Sequence, residues 1–331
     1  MKDFPLISIC VPVYNTARYI EKCAHSLFEQ TYPNLEFVFV DDASSDDSMH
    51  IVQTVAVAYP HLENRVRYLY NESNQGSAYT RGRAICESEG EYVFCVDSDD
   101  YVEKTSIQIL FEAVEQNGGN LISGLYIRER DVCKRDKSSL VDGETNLKEY
   151  DFNNVIWFET NNCTFPHLIR RELLLKWNCL PPKGLDYADD RYLMTCLRYH
   201  IRKQTIVPKV VYHYVEHSGS LSSSKGEKHF RCLILFYQSL ENYLKQYNDY
   251  ETYATTIQQQ KVIDKAHLML HCHDMNVRKQ YADLFREEEN QYHFSALHRS
   301  AKIVAWLVHH HYWNALRLYQ CYINLREKPS K

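Results

Sequence analysis

The chain has 331 residues, 44% of them hydrophobic and 24% charged, and its formal net charge is −5. That balance describes a folded protein with a substantial core and excludes disordered, collagen-like and low-complexity classes. It lacks the basic excess that general nucleic-acid binding requires, so no nucleic acid is expected as a partner.

The N-terminal half alternates short apolar runs with amphipathic stretches. Leu6 to Val13, Phe37 to Val40, Val66 to Tyr70, Tyr92 to Val96 and Leu121 to Gly124 read as buried strands, being short and rich in β-branched and aromatic residues. Helices are expected between them over Tyr19 to Gln30, Asp46 to Ala58, Ser77 to Glu87 and Thr105 to Gln116. The second of these follows Ser44-Ser45, a natural N-cap, and Asn117-Gly118-Gly119 ends the last. Strand–helix alternation of this kind predicts an α/β sheet. Arg128 to Asn146 is polar and reads as a surface excursion. Asn161 to Trp177 reads as a short strand or loop and then a helix, Ala188 to Tyr199 as a helix, and Thr205 to Tyr214 as a strand. Ser218 to Gly226 is a linker or a lid, and from Lys228 onward three or four helices are expected.

The 11 cysteines are dispersed from Cys10 to Cys321 with no CxxC pair, a usage that fits a reducing compartment and not a zinc cluster. The apolar run at the N-terminus is interrupted by Pro12. It is too short to span a bilayer and poor as a secretory signal, so the expected location is cytoplasmic.

In parallel α/β sheets, ligands bind beyond the carboxyl ends of strands, and three expected strands end in polar clusters. Asp97, Ser98, Asp99 and Asp100 follow the run YVFCV. Three carboxylates in four residues repel one another, and a divalent cation would offset that repulsion; a solvated acidic turn is the plainer alternative. Asp41 and Asp42 end the second strand, where a carboxylate can accept from a base N–H or a ribose hydroxyl. Arg81 and Arg83 lie two apart on one expected helix, so at most one of them points into a site.

PVYN at 12–15, VDDASSDDS at 40–48, NQGSAYTRGRAI at 74–85 and VDSDD at 96–100 occur in this order and together resemble the family 2 glycosyltransferases of bacterial polysaccharide type. The likeness is strong over residues 6–125 and weaker over 155–222. It implies a GT-A fold: a mixed sheet flanked by helices, with a catalytic domain over 1–225 and a helical region over 226–331. Residues 1–125 would be its nucleotide-binding half and 126–225 its acceptor half. The implied activity is inverting transfer of a hexosyl or N-acetylhexosaminyl group. The donor would be a UDP-sugar and the acceptor a glycan or lipid-linked hydroxyl in cell-surface polysaccharide synthesis. The resemblance places Pro12, Val13 and Tyr14 in the wall of the nucleotide pocket, Asp41 on the uracil with Asp42 behind it, and Arg81 near the diphosphate. Asp97 and Asp99 would be the DxD pair holding Mn2+ or Mg2+, with Ser98 between them and Asp100 orienting the donor sugar or the acceptor. Asp190 is the expected general base and Asp186 the competing one. Two departures from the family pattern are Asp189, where a glutamate is usual, and Gly82, where an asparagine is frequent. His213, near the end of the last expected strand, is either a histidine close to the metal or a core residue.

Ala301 to Leu325 is apolar, aromatic and basic; residues 291–331 hold six Lys or Arg against one acidic residue. It reads as a terminal packing helix or as an interfacial helix in peripheral contact with the inner face of a membrane. A nucleotidyltransferase and a non-catalytic sugar-nucleotide-binding protein are the alternative functions. The first is disfavoured because the turn from Tyr14 to Tyr19 has no glycine.

Overall fold

The computed structural model describes residues 4–130, 134–136, 146–149, 151–156, 163–217, 225–292 and 299–326. The chain divides into two compact units, Met1–Ser220 and Leu221–Lys331. Ser218, Gly219 and Ser220, the expected lid, lie outside the described residues.

The first unit begins with β1 (Ile7–Val13), α1 (Ile20–Phe28), β2 (Leu35–Asp41), α2 (Ser48–Ala56), β3 (Val66–Tyr70), α3 (Ser77–Glu87) and β4 (Tyr92–Cys95). It continues with β5 (Tyr101–Val102), α4 (Ser106–Asn117), β6 (Leu121–Arg130), β7 (Lys134–Asp136), β8 (Asn146–Glu149) and α5 (Phe152–Ile156). β9 (His167–Arg170), α6 (Arg171–Lys176), α7 (Asp189–His200) and β10 (Lys203–Glu216) complete it. The sheet runs β3-β2-β1-β4-β9-β6-β10-β5, with β7 added on β6 and β8 on β10. Its β3-β2-β1-β4 side is parallel, whereas β9 runs antiparallel to both β4 and β6. The result is a mixed sheet flanked by helices. β2 is buried along its whole length and β1 at all but Pro12, which is why both read as unbroken apolar runs rather than alternating ones.

Register assembles the site. Val13 lies opposite Asp41, and Cys10 opposite Cys95, so the carboxyl ends of β1, β2 and β4 emerge side by side. The loops beyond them are tied together by short polar bonds. The Asn15 amide donates to Ser44 Oγ at 3.1 Å and the Ser45 amide to Asn15 Oδ1 at 2.8 Å. Asp46 accepts from the Ala17 amide at 2.9 Å. These bonds occupy Ser44 and Ser45, which were expected to cap α2; the helix starts later, at Ser48. The expected surface excursion also differs, because β6 runs on to Arg130 and β7 and β8 pair with β6 and β10.

The second unit has six helices among the described residues: α8 (Glu227–Gln246), α9 (Tyr250–His271), α10 (Met275–Gln280), α11 (Arg286–Tyr292), α12 (Arg299–His309) and α13 (Trp313–Arg326). Three or four were expected. The extra breaks fall at Asn248, Phe285 and His311, which turn the chain at φ near +56° without a glycine or proline to mark them. The last break splits the expected Ala301–Leu325 helix in two. Ala301 and Ala305 of α12 pack on Ala266 of α9, so protein and not lipid covers that side of α12. Trp306, Tyr312, Leu318 and Tyr322 remain exposed. Among the described residues no helix is long and apolar enough to cross a membrane.

Gly76, the N-cap of α3, sits at φ +89°, and a Cβ there would fall 1.9 Å from Asp186 Oδ1. Both the backbone region and the space exclude a side chain. Gly76→Ala should lower unfolding stability by about 1–3 kcal/mol, read from the denaturant midpoint at unchanged slope.

Candidate active site

At the end of β2 the two carboxylates have different tasks. Asp42 is buried, and its oxygens accept from the Asn71 side-chain amide at 2.7 Å and from the backbone amides of Gln75 and Gly76 at 2.7 and 2.9 Å. It anchors the loop that leads into α3. Asp41 is buried as well, but among the described residues its carboxylate accepts only from the Ser44 amide, at 3.3 Å, and is less fully bonded than Asp42. Of the three expected wall residues, Val13 is fully buried in the core and supports the wall from behind. Pro12 is half-buried and Tyr14 exposed.

The acidic turn follows β4 directly. Tyr212 of β10 organises it from below: its hydroxyl donates to Asp100 Oδ2 at 2.6 Å and accepts from the Asp97 amide at 3.1 Å. Asp100 also accepts from the Val215 amide at 2.7 Å and is 1% exposed. It therefore faces β10 and locks the turn, rather than facing a donor or acceptor as expected. Burial first, then Asp99 and Asp97, push its carboxyl well above the usual range. Ser98 is buried and accepts from the Thr16 hydroxyl at 3.0 Å. Asp97 and Asp99 keep about a quarter of their side chains exposed. Asp99 is raised by burial and by Asp97, against the opposing pull of His217, whose Nε2 lies 2.7 Å from Asp99 Oδ2. His217 in turn stacks on Tyr19 at 4.5 Å.

His213 is not part of this group. Its ring lies between Glu103 and Glu129, at 2.7 and 3.2 Å, and stacks on Tyr101. The histidine at the acidic turn is His217, four residues on. The strand-end rule applies to it once β10 is seen to run to Glu216 rather than stopping at Tyr214.

Arg81 joins the two halves of the site. It is 5% exposed on α3, and its guanidinium lies 3.1 Å from Asp97 Oδ1, 3.2 Å from Asp189 Oδ2 and 3.2 Å from Asp190 Oδ1. Three carboxylates thus surround the arginine that was expected near the diphosphate. Burial pulls its pKa down, but Asp190, Asp97 and Asp189 together outweigh burial and raise it. Arg83 turns the other way, as helical spacing requires, and donates to Tyr70 O and Asn71 Oδ1. Asp189 is buried against Arg81, and its carboxyl is raised by burial. Asp190 is pushed up to about 7, first by burial; Asp189 and Asp97 add to the rise, while Arg81 and Thr164 oppose it. Its side chain stays 22% exposed. Asp186 packs against Gly76, and its carbonyl accepts from Ser77 at 3.2 Å. That places it at the start of α3 rather than beside Arg81.

Three kinds of similarity bear on this site. The family model described as "Glycosyl transferase family 2" matches residues 8–177, just over half the chain. The glycosyltransferase GlyG of Streptococcus pneumoniae is 38% identical over 121 residues, which are 37% of this chain and 39% of that protein. The chain thus spans well under two thirds of GlyG. TuaG of Bacillus subtilis, provisionally named a teichuronic acid biosynthesis glycosyltransferase, is 29% identical over 54% of this chain and 73% of its own. The crystal structure of Staphylococcus aureus TarS 1-349 with UDP-GlcNAc superposes with a TM-score of 0.59 at 18% identity, covering 93% of this chain and 92% of that one. At that identity the likeness is one of fold.

Removing Arg81 would leave three carboxylates without their shared cation. Arg81→Met should therefore cost about 3–5 kcal/mol in chemical denaturation, and Arg81→Lys should recover only part of it, since a compact ammonium lacks the planar fork that spreads three nitrogens over the three carboxylates.

Proposed function

The chain belongs to glycosyl transferase family 2, and from that premise we propose that it moves a sugar from a UDP-sugar to a hydroxyl of a glycan or lipid-linked acceptor with inversion. The bacterial relative named for teichuronic acid synthesis supports a cell-surface polysaccharide as the product. The TarS structures with UDP and UDP-GlcNAc support a UDP-hexosyl or UDP-N-acetylhexosaminyl donor. Family membership displaces the nucleotidyltransferase and non-catalytic readings. The exposed Trp306, Tyr312, Leu318 and Tyr322 would be the side chains of any peripheral membrane contact.

The observation that carries the mechanism is Asp190, a carboxylate near neutrality beside the acidic turn. A general base works best when its pKa lies near the working pH. Asp190 takes the proton of the acceptor hydroxyl as that oxygen attacks the anomeric carbon, on the face opposite the leaving diphosphate. Arg81 keeps Asp190 and Asp97 in one fixed arrangement. Asp41 and Tyr14 would meet the base of the nucleotide.

Asp97 and Asp99, two partly exposed carboxylates, would hold Mn2+ or Mg2+, hard cations that prefer oxygen ligands. Among the described residues no group of three or more His, Cys, Asp or Glu is placed to hold a metal ion, so a cation on this pair would need the phosphate oxygens of the donor to complete its ligation. Four carboxylates face Arg81 and His217 here, so a diphosphate entering alone would meet repulsion. When bound, the ion would neutralise charge on the departing diphosphate.

Asp190→Asn should keep UDP affinity and lower kcat by about 10²–10⁴-fold; near-normal turnover would sink the assignment. The active form is the deprotonated one. kcat/KM should therefore fall tenfold per pH unit on the acid side of about 7 and level off above it. EDTA should weaken UDP binding in calorimetry, and equal affinity with and without EDTA overturns the cation assignment.

A further inference from the structure

We propose that Thr164 is the positioning residue of the base: its hydroxyl and Arg81 together hold Oδ1 of Asp190 and leave Oδ2 as the oxygen that takes the proton. This rests on the reading of Asp190 as base.

Thr164 is 1% exposed, and its hydroxyl donates to Asp190 Oδ1 at 3.0 Å. Arg81 Nη2 reaches the same oxygen at 3.2 Å. Both donors fall on one oxygen, so the carboxylate is oriented as well as charged, and its other oxygen is the one turned away from them. A hydroxyl suits this task because it donates one directed bond without adding a charge. A bond donated to the ionised form also favours that form, which opposes the rise that burial causes.

Thr164 is itself held rigidly to the acidic turn. Its neighbour Phe165 is buried and stacks on Tyr212 at 4.4 Å and 10°, and on Tyr214 at 5.6 Å. The Gly124 amide donates to Pro166 O at 3.0 Å. Tyr212 is the residue whose hydroxyl organises Asp97 and Asp100. One stack therefore connects the group that orients the base to the turn that would face the diphosphate. In the step, the acceptor O–H bond breaks and its proton passes to Asp190 Oδ2, giving the neutral acid. The acceptor oxygen bonds the anomeric carbon, and the pair of the carbon–phosphate-oxygen bond leaves with UDP.

The test uses the full chain with Thr164→Val, Thr164→Ser, Asp190→Asn and the double variant Thr164→Val with Asp190→Asn. Thr164→Val should keep UDP affinity, lower kcat about tenfold, and move the acid limb of kcat/KM upward by about one pH unit, since the lost donor had stabilised the ionised base. Thr164→Ser should restore both, and Thr164→Val should cost nothing further in the Asp190→Asn background. If Thr164→Val impairs UDP binding, the comparison passes to Thr164→Ala, for which the same displacement is expected. An unmoved acid limb with normal kcat, or an equal further loss in the Asp190→Asn background, overturns the positioning role. An inactive Asp190→Asn beside an unaffected Thr164→Val removes this inference alone, whereas an active Asp190→Asn removes the base assignment and this inference with it.

Discussion

A single buried guanidinium holds the site together. Arg81 lies within 3.2 Å of Asp97, Asp189 and Asp190, which come from the turn after β4 and the start of α7. Taking several charges out of water is costly and is tolerated only when they face one another with good geometry. Arg81 supplies that geometry through its planar fork, which can meet several oxygens at once. Its single charge does not balance three. The residual negative field of Asp189 and Asp97, added to burial, pushes the Asp190 carboxyl up to about 7.

The sheet makes this convergence possible. β1, β2 and β4 end side by side because they are parallel and in register, so their polar tails share one edge. β10 then runs along the far side and brings Tyr212, Val215 and, just past its end, His217 to the same acidic turn. Asp42, Asp46 and Asn15 are spent on holding loops, whereas Asp41 is less fully bonded and Tyr14 is exposed. Polar residues crowded at strand ends thus divide into those that build the edge and those that face outward from it.

Much of the first half could be read from the chain alone. β3 and α3 fall where pattern placed them, and β1, β2 and β4 differ only at their ends, because buried parallel strands leave unbroken apolar runs. The reading weakened where structure depends on partners. α2 starts late because its expected caps bond to Asn15 instead. The helical unit has more breaks than expected because Asn248, Phe285 and His311 turn the chain without glycine or proline. His217, and not His213, lies at the acidic turn because β10 runs two residues past the expected strand end at Tyr214.

Order and spacing of motifs determined the family and pointed to the polar clusters at the strand ends as candidates for the chemistry. These are local facts: residue type, position relative to a strand, distance along the chain. Which carboxylates are structural and which are available was decided only in three dimensions. Asp42 and Asp100 look like Asp41 and Asp99 in sequence, yet buried donors from distant segments take up their oxygens. Arg81 met three carboxylates, and Thr164 met Asp190, for the same physical reason. A buried polar group bonds to whatever the fold brings within about 3 Å, and that pairing is set by packing between segments far apart in the chain.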